Sequence, residues 1–264
     1  EIGVRLVGSE MCIRDRPLIV DNTMATPWLC RPFEWGADLV VHSTTKFLSG
    51  QGNAMGGIVI DSGHFPWFGN AKYPSLSEPC PDYNGLTFAE TFGDMAFTLY
   101  SHAVSLRDLG CTQSPMNAWI TLNGVETLPL RMEHHVENAH KVAGFLQQHP
   151  SVEWVSYAGL SSSPYYQLAQ KYLQGKAGSV FTFGIRGGYE SGLRLLEKVE
   201  LFSHVSNIGD SRSLILHPAS TTHRQLSDEQ KLTAGAGPEV IRLSVGIESA
   251  EDLIADLEQA LEGL

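Results

Sequence analysis

The sequence predicts an α/β protein: a parallel sheet in the N-terminal half, then a smaller α+β domain from about residue 151. Three features carry that expectation. "PLIVDN" and "ADLVVHS" are short apolar runs rich in β-branched residues and closed by polar ones, the texture of doubly buried parallel strands. In "NAWITLNGVETLPLRMEHHVENAHKVAGFLQQHP" apolar residues recur at three and four, which predicts helix that stops before Pro150. Beyond "HPSVEWVSYAGL", short strands alternate with short helices, which marks a second domain.

Taken in order, "EIGVRLVGSEMCIRDR" has neither a helical nor a strand period. Residues 1–16 are therefore expected to be a leader foreign to the fold, with the native chain beginning further upstream. "PLIVDN" is the first strand, ending in Asp21. "TPWLCRPFEWG" is short and broken by proline, so it predicts one short turn of helix. "ADLVVHS" is the second strand and "GGIVIDSG" a third, returning from the glycine-rich loop of "HSTTKFLSGQGNAMGG". The Pro-, Tyr- and Gly-rich stretch from Phe65 to Leu86 reads as an ordered surface excursion. Helix is expected from Asp94 to about Leu109 and from Asn117 to His149, with Pro129 starting, kinking or splitting the latter. "SVFTFGI", "SLILHP" and "IRLSVGI" are the later strands, and a last helix is expected from about Ala250 to Leu261. The expected division is thus a leader at 1–16, part of a large domain at 17–150 and a small domain at 151–264.

Composition narrows the function. The chain has 264 residues, enough for one large or two modest domains, and a formal net charge of −11. That balance argues against a nucleic-acid surface, which needs clustered Lys and Arg. No apolar stretch reaches the roughly eighteen residues of a membrane span. Cys12, Cys30, Cys80 and Cys111 are scattered, with no CxxC pair and no zinc spacing, so free thiols in a reducing cytoplasm are expected and no metal site.

The chemistry centres on Asp21 and Lys46. Each stands at or just beyond the carboxyl end of a predicted strand, where ligands of open α/β sheets collect. Taken alone, Lys46 could be a solvated charge, a phosphate ligand or a nucleophile. The absence of GxxxxGK[ST] disfavours a P-loop. A buried Asp21 would need a cation, and the protonated pyridine nitrogen of pyridoxal phosphate is one that fits. Lys46 would then form the Schiff base while Ser43 and Thr45 bind phosphate oxygens. Arg242, set within the apolar run "VIRLSVGIE", has the planar two-point geometry that receives a carboxylate; for an isolated arginine a structural salt bridge would be the plainer explanation.

The order "VDNTxATP … ADLVVHSxTKxxxGxG" resembles the Cys/Met-metabolism family of pyridoxal-phosphate enzymes, which have the aspartate-aminotransferase-type (fold type I) architecture. The resemblance runs from about Pro17 to the last residue. It implies pyridoxal 5'-phosphate as cofactor, Lys46 as the catalytic Schiff-base residue, Ser43 and Thr45 as phosphate-binding hydroxyls, Asp21 as the ring-nitrogen partner and Thr23 as a support for the ring. It also implies that Arg242 and Asn207 hold the substrate carboxylate, and that the histidines of "HPASTTH" are structural or channel-lining. "LSSSPYYQLAQKYL" and "GSVFTFGIRGG" are most similar to the branch that replaces the γ-acetoxy group of O-acetylhomoserine with sulfide or methanethiol. Methionine γ-lyases and cystathionine synthases or lyases share the same catalytic core. The family has a long region upstream of the Asp21 strand that supplies phosphate-binding amides, an aromatic ring over the cofactor and groups lent to a neighbouring subunit. The resemblance therefore implies the C-terminal part of a homotetrameric cytoplasmic enzyme, and a non-catalytic fragment is the alternative for the chain as given.

Overall fold

A computed structural model of the chain describes residues 15–264. The leader expected at residues 1–16 lies outside the described residues apart from Asp15 and Arg16. In chain order, strand β1 (Ile19–Asp21) precedes helix α1 (Thr26–Leu29) and a 3-10 turn at Pro32–Trp35. Strand β2 (Leu39–Ser43) runs into a π turn at Thr44–Leu48, and β3 (Gly57–Asp61) follows. Short helices α2 (Pro74–Ser77), α3 (Phe88–Phe92) and α4 (Ala96–Tyr100) precede a π-helical run at Ser101–Asp108. Then come α5 (Pro115–Glu126), α6 (Leu128–Gln148), β4 (Val152–Ser156), α7 (Tyr166–Tyr172), β5 (Val180–Ile185) and α8 (Gly188–Lys198). The chain closes with β6 (Ser203–His204), β7 (Leu214–Leu216), α9 (Asp228–Thr233), β8 (Val240–Ser244) and α10 (Ala250–Leu261).

These elements form two compact units. The first takes the described residues up to Asn22, then Arg31–His42 and Gly57–Ser114; the second takes Thr23–Cys30, Ser43–Gly56 and Pro115–Leu264.

In the first unit β2 is the middle strand of β1-β2-β3. It pairs in parallel with β1, Val20 opposite Val40 and Asp21 opposite Val41. Only β2 is buried as the sequence predicts. Ile19 in β1 and Val59 in β3 keep 55% and 56% of their surface, and Asp21 is exposed. A continuous apolar run marks a strand but does not say whether both of its faces are covered. The excursion after β3 is ordered by aromatic packing. Phe65, Trp67 and Phe88 are buried, and Trp67 stacks on Phe97 with centroids 5.5 Å apart.

The second unit is built on a five-stranded sheet in the order β4-β5-β8-β7-β6. It is antiparallel except for the parallel β6/β7 pair. Helices α6, α8 and α10 bring Val142, Leu146, Leu195, Leu253 and Leu257 into one core with Phe183, Ile185, Ile241 and Leu243. Every one of these side chains is fully buried, and each contributes about 1.5–3 kcal/mol relative to exposure. Pro129 lies in the first turn of α6, where its missing N–H is not needed, so it starts that helix. Strand alternation makes β8 two-faced: Ile241 and Leu243 enter the core while Arg242 points to the other side of the sheet. Among the described residues no helix is long and apolar enough to cross a membrane.

Candidate active site

Lys46 lies in the π turn that follows β2, with φ −88° and ψ −128°, so the turn is broken at the lysine itself. Backbone bonds fasten the turn on either side: the Ser49 N–H donates to Thr44 O (3.0 Å) and the Gly50 N–H to Lys46 O (2.8 Å). Phe47 is fully buried beside it, against Leu29, Leu128 and Met132. Gly209 packs on this residue with φ +72°, and a Cβ there would lie 2.7 Å from the Phe47 nitrogen. A side chain at that position would push the lysine turn away.

Three of the predicted site residues come together on this turn. The Lys46 Nζ donates to Asn207 Oδ1 at 2.5 Å, and Arg242 Nη2 donates to the Asn207 carbonyl at 3.2 Å. Burial, and secondarily the positive charge of Arg242, hold the Lys46 amine below the usual lysine range. Arg242 is half-buried, and its pKa is lowered by burial alone. Among the described residues it has no carboxylate partner. The buried Asp210, three residues beyond Asn207, is paired with Arg212 at 3.2 Å. Lys46 and Arg242 thus make a half-buried pair of donors bridged by Asn207, with no carboxylate partner for Arg242 among the described residues.

The hydroxyl residues play different parts. Thr23 Oγ1 accepts from the Ser43 N–H at 2.8 Å, which ties the segment after β1 to the end of β2. Thr45 Oγ1 accepts from the Gly56 N–H at 3.1 Å and donates to its carbonyl at 3.3 Å, fastening the far end of the glycine loop. The Ser43 hydroxyl makes no hydrogen bond among the described residues. Asp21 belongs to the first unit, at the carboxyl end of β1, and its charge opposes the burial that lowers the pKa of His42. The burial expected for Asp21 is therefore not what the structure shows, because β1 is an edge strand.

His217, read from the sequence as structural or channel-lining, is fully buried, with Nδ1 3.0 Å from Ser220 Oγ and Nε2 2.9 Å from Pro238 O. Sequence reasoning missed Arg131 and His135, both on α6. His135 sits edge-on to Phe47 with centroids 5.3 Å apart, and its Nδ1 meets Val245 O at 2.7 Å. A polar residue on the apolar stripe of an otherwise amphipathic helix is the signal that marks His135. Arg131 has no such signal, because its partners on the lysine turn, Phe47 and Leu48, lie far away in sequence. A cleft of about 400 Å³ is lined by Ser49, Gly50, Trp119, Asn123, Thr127 and Arg131 among others.

A strand-end lysine beside an arginine with no carboxylate partner among the described residues is an arrangement able to receive a small anionic molecule. Comparison with known proteins makes the class specific. The family described as "Cys/Met metabolism PLP-dependent enzyme" matches residues 10–262, and the chain belongs to that family. Over 94% of its length it is 51% identical to "O-acetyl-L-homoserine sulfhydrylase" of Leptospira meyeri, and over 92% it is 50% identical to "O-acetyl-L-homoserine sulfhydrylase 1" of Thermus thermophilus. It spans 58% of each of these relatives. A solved chain from Campylobacter jejuni, described as an O-acetylhomoserine (thiol)-lyase and containing N'-pyridoxyl-lysine-5'-monophosphate, superposes with a TM-score of 0.89 at 43% identity. That match covers 94% of this chain and 59% of the other. The mixed α/β architecture and the pyridoxal-phosphate dependence expected from the sequence are those of this family.

Proposed function

We propose that this chain carries the lysine and carboxylate-binding end of a γ-replacement enzyme that converts O-acetylhomoserine and sulfide, or methanethiol, to homocysteine or methionine and acetate. The supporting observation is Arg242: half-buried, without a carboxylate partner, and joined through Asn207 to the Lys46 amine. A buried cation without a counter-ion is costly, and an amino-acid α-carboxylate supplies the missing charge in the two-point geometry that a guanidinium favours.

The residues fit pyridoxal phosphate. Lys46 offers an amine of lowered pKa, which reacts with a carbonyl only when unprotonated. The Ser43 hydroxyl is available to a phosphate oxygen beside Thr45, Asp21 is the partner assigned to the ring nitrogen, and Thr23 braces the strand end beneath. When bound, the cofactor supplies an electron sink for charge that develops at the substrate Cα. Arg242 and Asn207 hold the substrate carboxylate and so fix the direction of its Cα–H bond. Lys46 Nζ, unprotonated after release, takes the Cα proton and then serves as the shuttle for a Cβ proton, so that acetate can leave Cγ and a thiolate can add there.

The same proposal includes a cytoplasmic homo-oligomer, a tetramer in the intact enzyme. Its support is the free thiols at Cys80 and Cys111 and the exposed Met116, Trp119, Leu122 and Leu130 of the second unit. The test joins this chain to the upstream region of the Leptospira meyeri relative and supplies O-acetylhomoserine with and without sulfide. Homocysteine formed only with sulfide supports the proposal. Release of a 2-oxo acid without any thiol would make the chain part of a γ-lyase instead.

A further inference from the structure

The π turn that carries Lys46 ends on two carbonyls, those of Phe47 and Leu48. At a helix end such carbonyls need donors from elsewhere. Here one side chain supplies both. Arg131 of α6 donates through Nη1 to Phe47 O at 2.8 Å and through Nη2 to Leu48 O at 3.4 Å. Nη2 also reaches Gly124 O at 2.7 Å, and Nε reaches Thr127 Oγ1 at 3.1 Å. The four acceptors are three carbonyls and a hydroxyl; none is a carboxylate. A half-buried guanidinium with no acid partner among the described residues is an expensive way to join a helix to a loop, and a neutral amide could make part of the same connection.

The neighbourhood is fitted to this contact. Helix α5 approaches the turn so closely that a Cβ on Gly124 would lie 2.4 Å from Leu48 O and 2.5 Å from Ser49 O. Gly209 presses on the Phe47 nitrogen from another side. Phe47, the residue after Lys46, is therefore held at its nitrogen by packing and at its carbonyl oxygen by the guanidinium, and the Lys46 side chain extends from that turn to Asn207.

We infer that Arg131 is a positioning residue for Lys46, fixing through the Phe47 and Leu48 carbonyls the backbone from which the amine is aimed. The inference rests on Lys46 being the cofactor lysine. Arg131 touches neither cofactor nor substrate in this account. It acts through the turn.

The test follows the rate at which pyridoxal phosphate, trapped by borohydride reduction, labels Lys46 in the wild-type chain, in Arg131→Gln and in Arg131→Lys. Peptide mapping supplies the rates, with the exposed Lys141 and Lys171 as internal references. Each variant is studied below its own unfolding temperature. Losing charge-assisted bonds that hold a reacting group should slow Lys46 labelling by roughly tenfold or more in Arg131→Gln, with Lys141 and Lys171 unchanged. Arg131→Lys, which keeps the charge but not the fork, should fall between Arg131→Gln and wild type. A purely structural arginine would lower the unfolding temperature and leave the Lys46 rate in the folded variant unaltered, and that result overturns the inference. If Arg131→Gln does not fold, Arg131→Lys decides: a Lys46 rate equal to wild type overturns the inference, and a slower one supports it. Preference for Lys46 that is absent even from the wild-type chain is a different failure, because it removes the lysine assignment and the inference with it.

Discussion

Lys46 and Arg242 are two cations held near one another, and each pays for it differently. Burial lowers both, and Arg242 lowers Lys46 further. The amine should therefore be modified by an amine reagent with a pH midpoint below the ordinary lysine value of 10.5. Arg242→Met removes the repulsion and should move that midpoint upward, whereas Arg242→Lys keeps the charge and should leave it near wild type. A midpoint unmoved by Arg242→Met, followed by mass spectrometry of the Lys46 peptide, would separate the two residues electrostatically. Arg242→Lys should instead weaken carboxylate binding by roughly ten- to a hundredfold, because an ammonium cannot reproduce the two-point grip; a spectral titration of the cofactor-loaded protein with amino acid reads this directly. Part of the candidate site was legible in the sequence: Lys46, Asn207 and Arg242 were each singled out there, and hydrogen bonds through Asn207 join them. The bond from Arg131 to the lysine turn was not legible, because a contact between a helix and a turn 84 residues away leaves no local pattern.

At the scale of elements, α6 and α10 carry buried polar groups whose titration or loss has a calculable sign. His135 is fully buried on α6, and its pKa is brought down to about 4, by burial first, with the bond to Val245 O opposing and Arg131 adding to the fall. The unfolded chain binds this proton near 6.5 and the folded chain only near 4. Between those values the unfolded state holds more protons, so stability falls as the solution is acidified through that window, by on the order of 3 kcal/mol from this one ring. His135→Gln should flatten the dependence of the unfolding midpoint on pH from 6.5 downward, and an unchanged slope would place the acid sensitivity elsewhere. On α10, Asp256 is buried and accepts the N–H groups of Glu200, Leu201 and Phe202 at 2.8, 2.9 and 3.0 Å. Asp256→Ala strands those donors and should cost about 3 kcal/mol in urea unfolding; a loss within experimental error would mean that water replaces the carboxylate. The helices were legible because their apolar spacing and the position of Pro129 follow from one face being buried. The covering of β1 and β3 was not, because periodicity reports a strand without reporting its neighbours.

At the scale of the whole molecule, the chain spans about 58% of its curated relatives, and each of its two units has its own core. The second unit contains Lys46, Asn207, Arg242 and the residues that brace them, whereas Asp21 stands in the first. The family assignment and the chemistry of the lysine turn lead to one claim, that Lys46 carries the cofactor. The most direct measurement is to incubate the chain with limiting pyridoxal phosphate, reduce with borohydride and map the pyridoxyl group by mass spectrometry. If Lys46 carries the cofactor, the label is concentrated on Lys46 and lost in Lys46→Ala, with no other lysine taking its place. A label on a different lysine, or one spread evenly over the exposed lysines, would contradict it.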